Sequence, residues 1–250
     1  MRQFKKIIGI VLVLALTLCS LASCDLVGGK KPEKLTEKAD EALSAAPYSV
    51  DVRVKYSSDD ELMKKAIESF ANPTIKVQVN GESFKASLGL TKGDNQNYAS
   101  FTFVNGVLYT EFSENGKVSY AEKEYTAEDK TALRDTLGAG AVISYDDFEE
   151  VEVKSSGKTS IISCQNIKAD AIAAMETSLE EAIKTVFESA EVSVYKATLA
   201  IEIRDGKYNV IILTCEYFIT TPTDSYSIDM EYSMKFNYED AFEITAPSHG

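Results

Sequence analysis

The chain has 250 residues, with 26 basic against 39 acidic side chains, a single histidine and a formal net charge of −13. That acid excess argues against a nucleic-acid partner, whose phosphates need Lys and Arg, and against adhesion to an anionic bilayer by charge alone. Thirteen tyrosines and eleven phenylalanines, without tryptophan, supply core material for one β-rich domain or two small ones.

The N-terminus carries Arg2, Lys5 and Lys6 ahead of an apolar run, IIGIVLVLALTL, from Ile7 to Leu18. As a helix that run rises only about 18 Å, short of a hydrocarbon core about 30 Å thick. A basic head, a short apolar segment and then small residues is the layout of a secretory signal. Leu21-Ala22-Ser23-Cys24 resembles the lipobox of bacterial lipoproteins. The resemblance implies that Cys24 takes a diacylglycerol on its sulfur and becomes the first mature residue; the alternative is a plain signal peptide with Cys24 incidental. On this reading residues 1–23 are a signal peptide, 24–34 a lipidated tether and 35–250 a single domain outside the cytoplasm. Removing residues 1–23 takes away three basic residues and no acidic one, leaving a net charge of −16. The lipid, not charge, would then hold the protein at the membrane, where two or more acyl chains anchor stably.

Beyond the tether, LTEKADEALSAA (Leu35 to Ala46) reads as a helix stopped by Pro47. Tyr48, Val50, Val52, Val54 and Tyr56 then alternate with polar residues, the pattern of a half-buried strand. Ser58 and Glu61 form a capping-box pattern that opens a helix through Phe70. Next come hairpins: Asn80-Gly81, Asn105-Gly106, Asn115-Gly116 and later Asp205-Gly206 each sit between alternating runs and suit type I′ turns. Ser156-Gly157 is a further candidate. Two more helices are expected, Ala127 to Leu137 and Lys168 to Ser189. In the second, Ile172, Met175, Leu179, Ala182, Ile183, Val186 and Phe187 form the apolar side, and Glu176, Glu180, Glu181 and Lys184 the opposite one.

Three long strands follow. Ser193 to Ile203 places Tyr195, Ala197, Leu199, Ile201 and Ile203 inward. Tyr208 to Leu213 is apolar on consecutive residues, as in a strand covered on both faces. In the third, Tyr226, Ile228, Met230, Tyr232, Met234 and Phe236 point one way and polar residues the other. FEITAP (Phe242 to Pro247) is expected to close the domain as a short strand. The fold class is therefore α+β: a large antiparallel meander with helices on one face.

Chemistry is sparse. The lone His249 is the penultimate residue, so no His-based nucleophile or metal cluster is expected. The acidic groups Asp59-Asp60-Glu61 and Asp146-Asp147 with Glu149-Glu150 read as a helix start and a solvated loop. No cofactor is expected, and oligomeric state is left open. Cys164 and Cys215 lie in strand-like runs, either as a disulfide or as two buried thiols. The Tyr226–Phe236 stripe, with methionines among tyrosines, is either core or the lining of a site for a greasy ligand.

Helix LTEKADEALSAA leading into YSVDVRV, the hairpin YASFTFVNGVLYTEF and the ending MKFNYEDAFEITAP together resemble the LolA/LppX-type group of bacterial envelope proteins. The resemblance spans Leu35 to Pro247. It implies a strongly curved, half-barrel-like sheet whose concave side holds helices and a hydrophobic cavity, and a non-enzymatic protein binding or carrying a lipid-like molecule. The chain departs from the group in its extra Ser58–Phe70 helix and in having no arginine alignable to cargo transfer. The competing expectation is a surface scaffold with a filled core, contacting envelope proteins or glycans through tyrosines such as Tyr98, Tyr120, Tyr125 and Tyr145.

Overall fold

The computed structural model describes residues 32–61, 64, 74–92, 95–114, 116–124, 143–184, 189–238 and 242–248. The expected signal segment with Cys24, most of the expected Ser58–Phe70 helix, the expected Ala127–Leu137 helix, residues 185–188 of the expected Lys168–Ser189 helix, Asn115, Tyr125 and His249 lie outside the described residues.

Helix α1 spans Pro32–Ala45. It starts three residues earlier than expected, taking the end of the tether, because Pro32 suits the first helical position, where no N–H is needed. Among the described residues eleven strands follow: β1 (Tyr48–Ser57), β2 (Thr74–Asn80), β3 (Ser83–Lys92), β4 (Asn95–Val104), β5 (Val107–Glu114), β6 (Lys117–Glu124), β7 (Phe148–Ser156), β8 (Thr159–Ile167), β9 (Glu191–Arg204), β10 (Lys207–Thr220) and β11 (Ser225–Asn237). Helix α2 (Ala169–Lys184) lies between β8 and β9, and a short 3-10 turn, Tyr145–Asp147, precedes β7.

All eleven strands form one open antiparallel sheet in the order β6-β5-β4-β3-β2-β1-β11-β10-β9-β8-β7. It is two meanders, β1–β6 and β7–β11, joined where the first strand pairs with the last. The join runs from Ser49 opposite Asn237 to Ser57 opposite Asp229. Turn chemistry sets the hairpins. Asn105-Gly106 and Asp205-Gly206 have both residues at positive φ (52° and 82°, 52° and 75°), as a type I′ turn needs. At Gly81 and Gly157, each at φ 58°, the residue before is not left-handed. The two-residue loops there are Gly81-Glu82 and Gly157-Lys158, a type II′ pattern shifted by one residue from the Asn80-Gly81 and Ser156-Gly157 turns expected.

One face carries the core. A single row crosses ten strands, one residue from each: Val153, Ile162, Ile201, Ile211, Met234, Val52, Ile75, Leu88, Ala99 and Phe112. At β6 the row reaches Ser119 and stops being apolar. Ala39 of α1 and Met175 and Leu179 of α2 belong to the same buried cluster, and the two helices pack mainly against β9 and β10.

Three expectations are corrected. Tyr195 is not inward; it is 75% exposed, because a bulge lies between the pairs Lys196–Glu216 and Val194–Tyr217. The extra residue switches the inward set from Val192 and Val194 to Ala197, Leu199, Ile201 and Ile203. The Tyr208–Leu213 run is not covered on both faces. An irregularity between Tyr208 and Val210 keeps Tyr208, Ile211 and Leu213 on the buried side and leaves Asn209, Val210 and Ile212 half-buried. Residues 242–248 form no strand. Both sides of β1 are already taken by β2 and β11, and Phe242 instead accepts a bond of 2.7 Å from the Asn80 side chain at the β2–β3 turn.

Met234 is 2% exposed at the centre of the row, so Met234→Ala is expected to destabilise by about 2–5 kcal/mol. Tyr195→Ala, on the bulge, should change stability by less than about 0.5 kcal/mol. Urea unfolding of both variants checks the pair.

Candidate functional site

The β11 stripe is brought together as expected, inside the core. Ile228, Met230, Tyr232, Met234 and Phe236 are buried and Tyr226 is half-buried. Their cross-strand neighbours on β10 are Tyr217, Cys215, Leu213 and Ile211 opposite Ile228, Met230, Tyr232 and Met234. On β1, Val50, Val52, Val54 and Tyr56 stand opposite Phe236, Met234, Tyr232 and Met230. The stripe is the floor of the apolar face, with its wetter end at Tyr226.

The less covered part of that face lies on β3–β5. Phe84, Phe101, Leu108 and Phe112 are half-buried there. Phe84 stacks on Phe103 at 5.6 Å between centroids, and Phe101 meets Phe112 edge-on at 5.7 Å, geometries that favour aromatic pairs.

At one end of the stripe, α1 docks through a polar contact. Tyr208 Oη donates to Asp40 Oδ1 at 2.9 Å, beside Phe236, whose ring lies 5.5 Å from that of Tyr208. Burial pushes the Asp40 carboxyl from its usual 3.8 up to about 6, although the Tyr208 bond pulls the other way.

At α2 the expected solvent-facing orientation of two glutamates is corrected. Glu176 Oε1 accepts from the Val194 backbone N–H at 2.8 Å, and Glu180 Oε1 accepts from Val192 N–H at 3.3 Å. Both glutamates face β9 rather than solvent. β8 pairs with β9 only as far as Cys164 opposite Leu199, so among the described residues no strand pairs with residues 191–198 on that side. Asn166, at φ 56°, lies just beyond that last pair. The available signal was length: β9 has 14 residues against 9 for β8.

Cys164 and Cys215 are two separate buried thiols, not a disulfide. They sit on β8 and β10 with β9 between and two residues out of line, about 12 Å apart and beyond disulfide reach. Burial pushes each up to about 12, which suppresses the nucleophilic thiolate.

In the acidic groups the Asp147 and Glu150 carboxylates have structural partners. Asp147 Oδ2 accepts from Ser144 N–H at 2.6 Å, while Ser144 Oγ accepts from Asp146 N–H at 3.1 Å, a capping box. Glu150 accepts from Asn166 Nδ2 at 2.7 Å. Asp60 N–H donates to Ser58 Oγ at 3.2 Å. Among the described residues no three His, Cys, Asp or Glu side chains are grouped to hold a metal ion, and no described helix is long and apolar enough to cross a membrane.

On the opposite face of the sheet, Tyr98 is half-buried and donates to Glu111. Tyr120, 37% exposed, stacks on Tyr109 at 6.3 Å. Tyr145 is 6% exposed, inside the core and remote from such a surface.

No known protein family matches this chain, and no curated protein matches it in sequence.

Two outcomes follow from the charges and thiols. Because the folded Asp40 pKa of about 6 lies above its usual 3.8, its contribution is fully present below about pH 4 and is lost as pH rises through about 6. Asp40→Asn, which keeps the acceptor oxygen, should flatten this dependence and gain about 1 kcal/mol at pH 8, after allowance for the half of the group that solvent screens. Thermal melts from pH 4 to 8 measure it. Peptide mapping after a thiol reagent should find Cys164 and Cys215 unmodified in the native protein and both modified in guanidinium.

Proposed function

We propose that the protein is an extracytoplasmic lipoprotein, anchored through Cys24, that binds a hydrophobic or amphipathic lipid-like molecule between the sheet and its helices, without a reaction. One observation carries the ligand half of this reading. An apolar row crosses ten strands, whereas the described helices pack mainly on β9 and β10. A flat sheet would leave the β2–β4 side of that row wet, yet Ile75, Leu88 and Ala99 are 6%, 2% and 0% exposed within the same cluster as α1 and α2. A curved, half-barrel-like sheet of the LolA/LppX type accounts for this. The bound molecule would lie on the Met230–Phe236 floor and reach toward the half-buried Phe101 and Phe112. Two buried, unreactive thiols and an Asp147 carboxylate committed to capping are consistent with binding alone.

The second reading is a surface-interaction protein with a filled core. What favours it is the Tyr98, Tyr109 and Tyr120 surface with Glu111 and Glu122 on the other face of β4–β6.

The wild-type protein should incorporate radiolabelled palmitate and partition with membranes, and Cys24→Ser should abolish both. Organic extraction of protein purified from native membranes, followed by mass spectrometry, should recover a lipid at about one per chain. Phe101→Asp with Phe112→Asp should lower that recovery at least fivefold. Protein that is folded but empty in every preparation, with a defined partner captured by cross-linking at Tyr98 and Tyr120, would replace the ligand reading with the second.

A further inference from the structure

We propose that the outer side of β4–β6 is a docking face for an arginine-bearing segment of another protein, lying extended across it. This rests on the tyrosine surface of the second reading above and does not require that reading's filled core. The strand register sorts the charges of β6 by side. Ser119, opposite Phe112, continues the core row, so Lys117 and Lys123 share its side, and Tyr120, Glu122 and Glu124 stand on the other. Tyr109 and Glu111 of β5 share that outer side, as does Tyr98 of β4. β4 and β5 contain no lysine or arginine. Among the described residues the outer side of the three strands therefore carries three glutamates and no cation, and Lys85 of β3, opposite Thr102, bounds it.

Two of the three carboxylates are set against rings. Glu111 is directly opposite Tyr120, and Tyr109 directly opposite Glu122, positions whose Cβ atoms lie about 5 Å apart. Tyr98 donates to Glu111, and Tyr120 Oη lies 3.5 Å from Glu122 Oε2. A cation held by either carboxylate therefore falls within reach of a tyrosine face. Guanidinium suits such a site better than ammonium, because its planar fork both pairs with a carboxylate and stacks on a ring. Among the described residues none of the three glutamates forms an ion pair, and none belongs to a group able to hold a metal ion. Glu122 stands about 7 Å along the backbone from Glu124 and a similar distance diagonally from Glu111. Like charges so placed repel in the free protein, and a cationic partner relieves them. The same 7 Å is the repeat at which an extended chain presents side chains to one side. A neutral glycan would use the rings and leave the three charges uncompensated.

Fluorescence polarisation with the full-length protein and a labelled peptide of four Arg-Ser repeats tests the face. The peptide should bind, and a Lys-Ser peptide of equal length should bind at least threefold more weakly. Glu111→Gln with Glu122→Gln and Glu124→Gln, which keeps acceptor oxygens for Tyr98 and Tyr120, should weaken arginine-peptide binding at least tenfold without lowering the melting temperature. Glu37→Gln with Glu41→Gln and Glu149→Gln removes the same charge from exposed positions elsewhere and should change binding less than twofold. Tyr98→Leu with Tyr120→Leu should weaken it at least threefold. Equal losses from the two glutamine triples would trace binding to overall acidity and overturn the site. A melting temperature lowered by the first triple would tie these carboxylates to the fold and overturn it as well. A hexasaccharide of N-acetylglucosamine that needs the tyrosine pair and ignores the first triple would replace the cationic partner with a glycan. A partner cross-linked at Tyr98 and Tyr120 that still binds the first triple would overturn the cationic class and leave the surface reading standing. Neither peptide binding nor any captured partner would end both.

Discussion

The pairing of β1 with β11 is the constraint on which the architecture depends. Without it there are two separate meanders, each with an unpaired apolar-faced strand at its inner flank. With it, the row from Val153 to Phe112 becomes continuous, and its central members, Met234 and Val52, face each other across the join. The partners are separated by most of the domain's length, Ser49 meeting Asn237. Such long-range closure is entropically late, so the core is incomplete until the last strand arrives. The helices are secondary to it: α1 and α2 dress a sheet whose continuity is decided elsewhere.

What the sequence made legible was local. Two-residue turns with Asn-Gly or Asp-Gly marked hairpins because their backbone angles are available cheaply to those residues. The alternation of β11 foretold which of its side chains are buried. Non-local features left no such mark. Nothing in YSVDVRV states that it lies between β2 and β11. Tyr195 looked inward because alternation was extrapolated through a bulge, although the two phases, Val192 and Val194 before it and Ala197 to Ile203 after it, were present in the residues. Glu176 and Glu180 looked solvent-facing because a helix's polar side is normally wet. That rule fails beside an unsatisfied strand edge, whose N–H groups need acceptors. The Tyr226–Phe236 alternation marks one face of β11, but pattern alone does not separate burial from binding.

Acidity has a structural use here beyond solubility. Carboxylates receive backbone N–H groups at the 3-10 turn and along β9, and Glu150 holds Asn166 at the end of β8. The two outermost strands are also rich in charge, with Lys117, Glu122, Lys123 and Glu124 on β6 and Glu149, Glu150, Glu152 and Lys154 on β7. An open sheet exposes two template edges, and charged edges discourage pairing with another chain. The Asp40 carboxyl, raised to about 6 by burial, sits instead where α1 meets the stripe, so ionising it at neutral pH costs stability at that docking point.

The position of β1 also has a mechanical meaning. The chain enters the sheet through α1 at its middle, and β1 is gripped by β2 on one flank and β11 on the other. A tug on the amino end is therefore resisted by two rows of hydrogen bonds at once. A protein tied at that end should withstand drag or stretching far better than one tethered through a peripheral strand, which could be peeled away bond by bond.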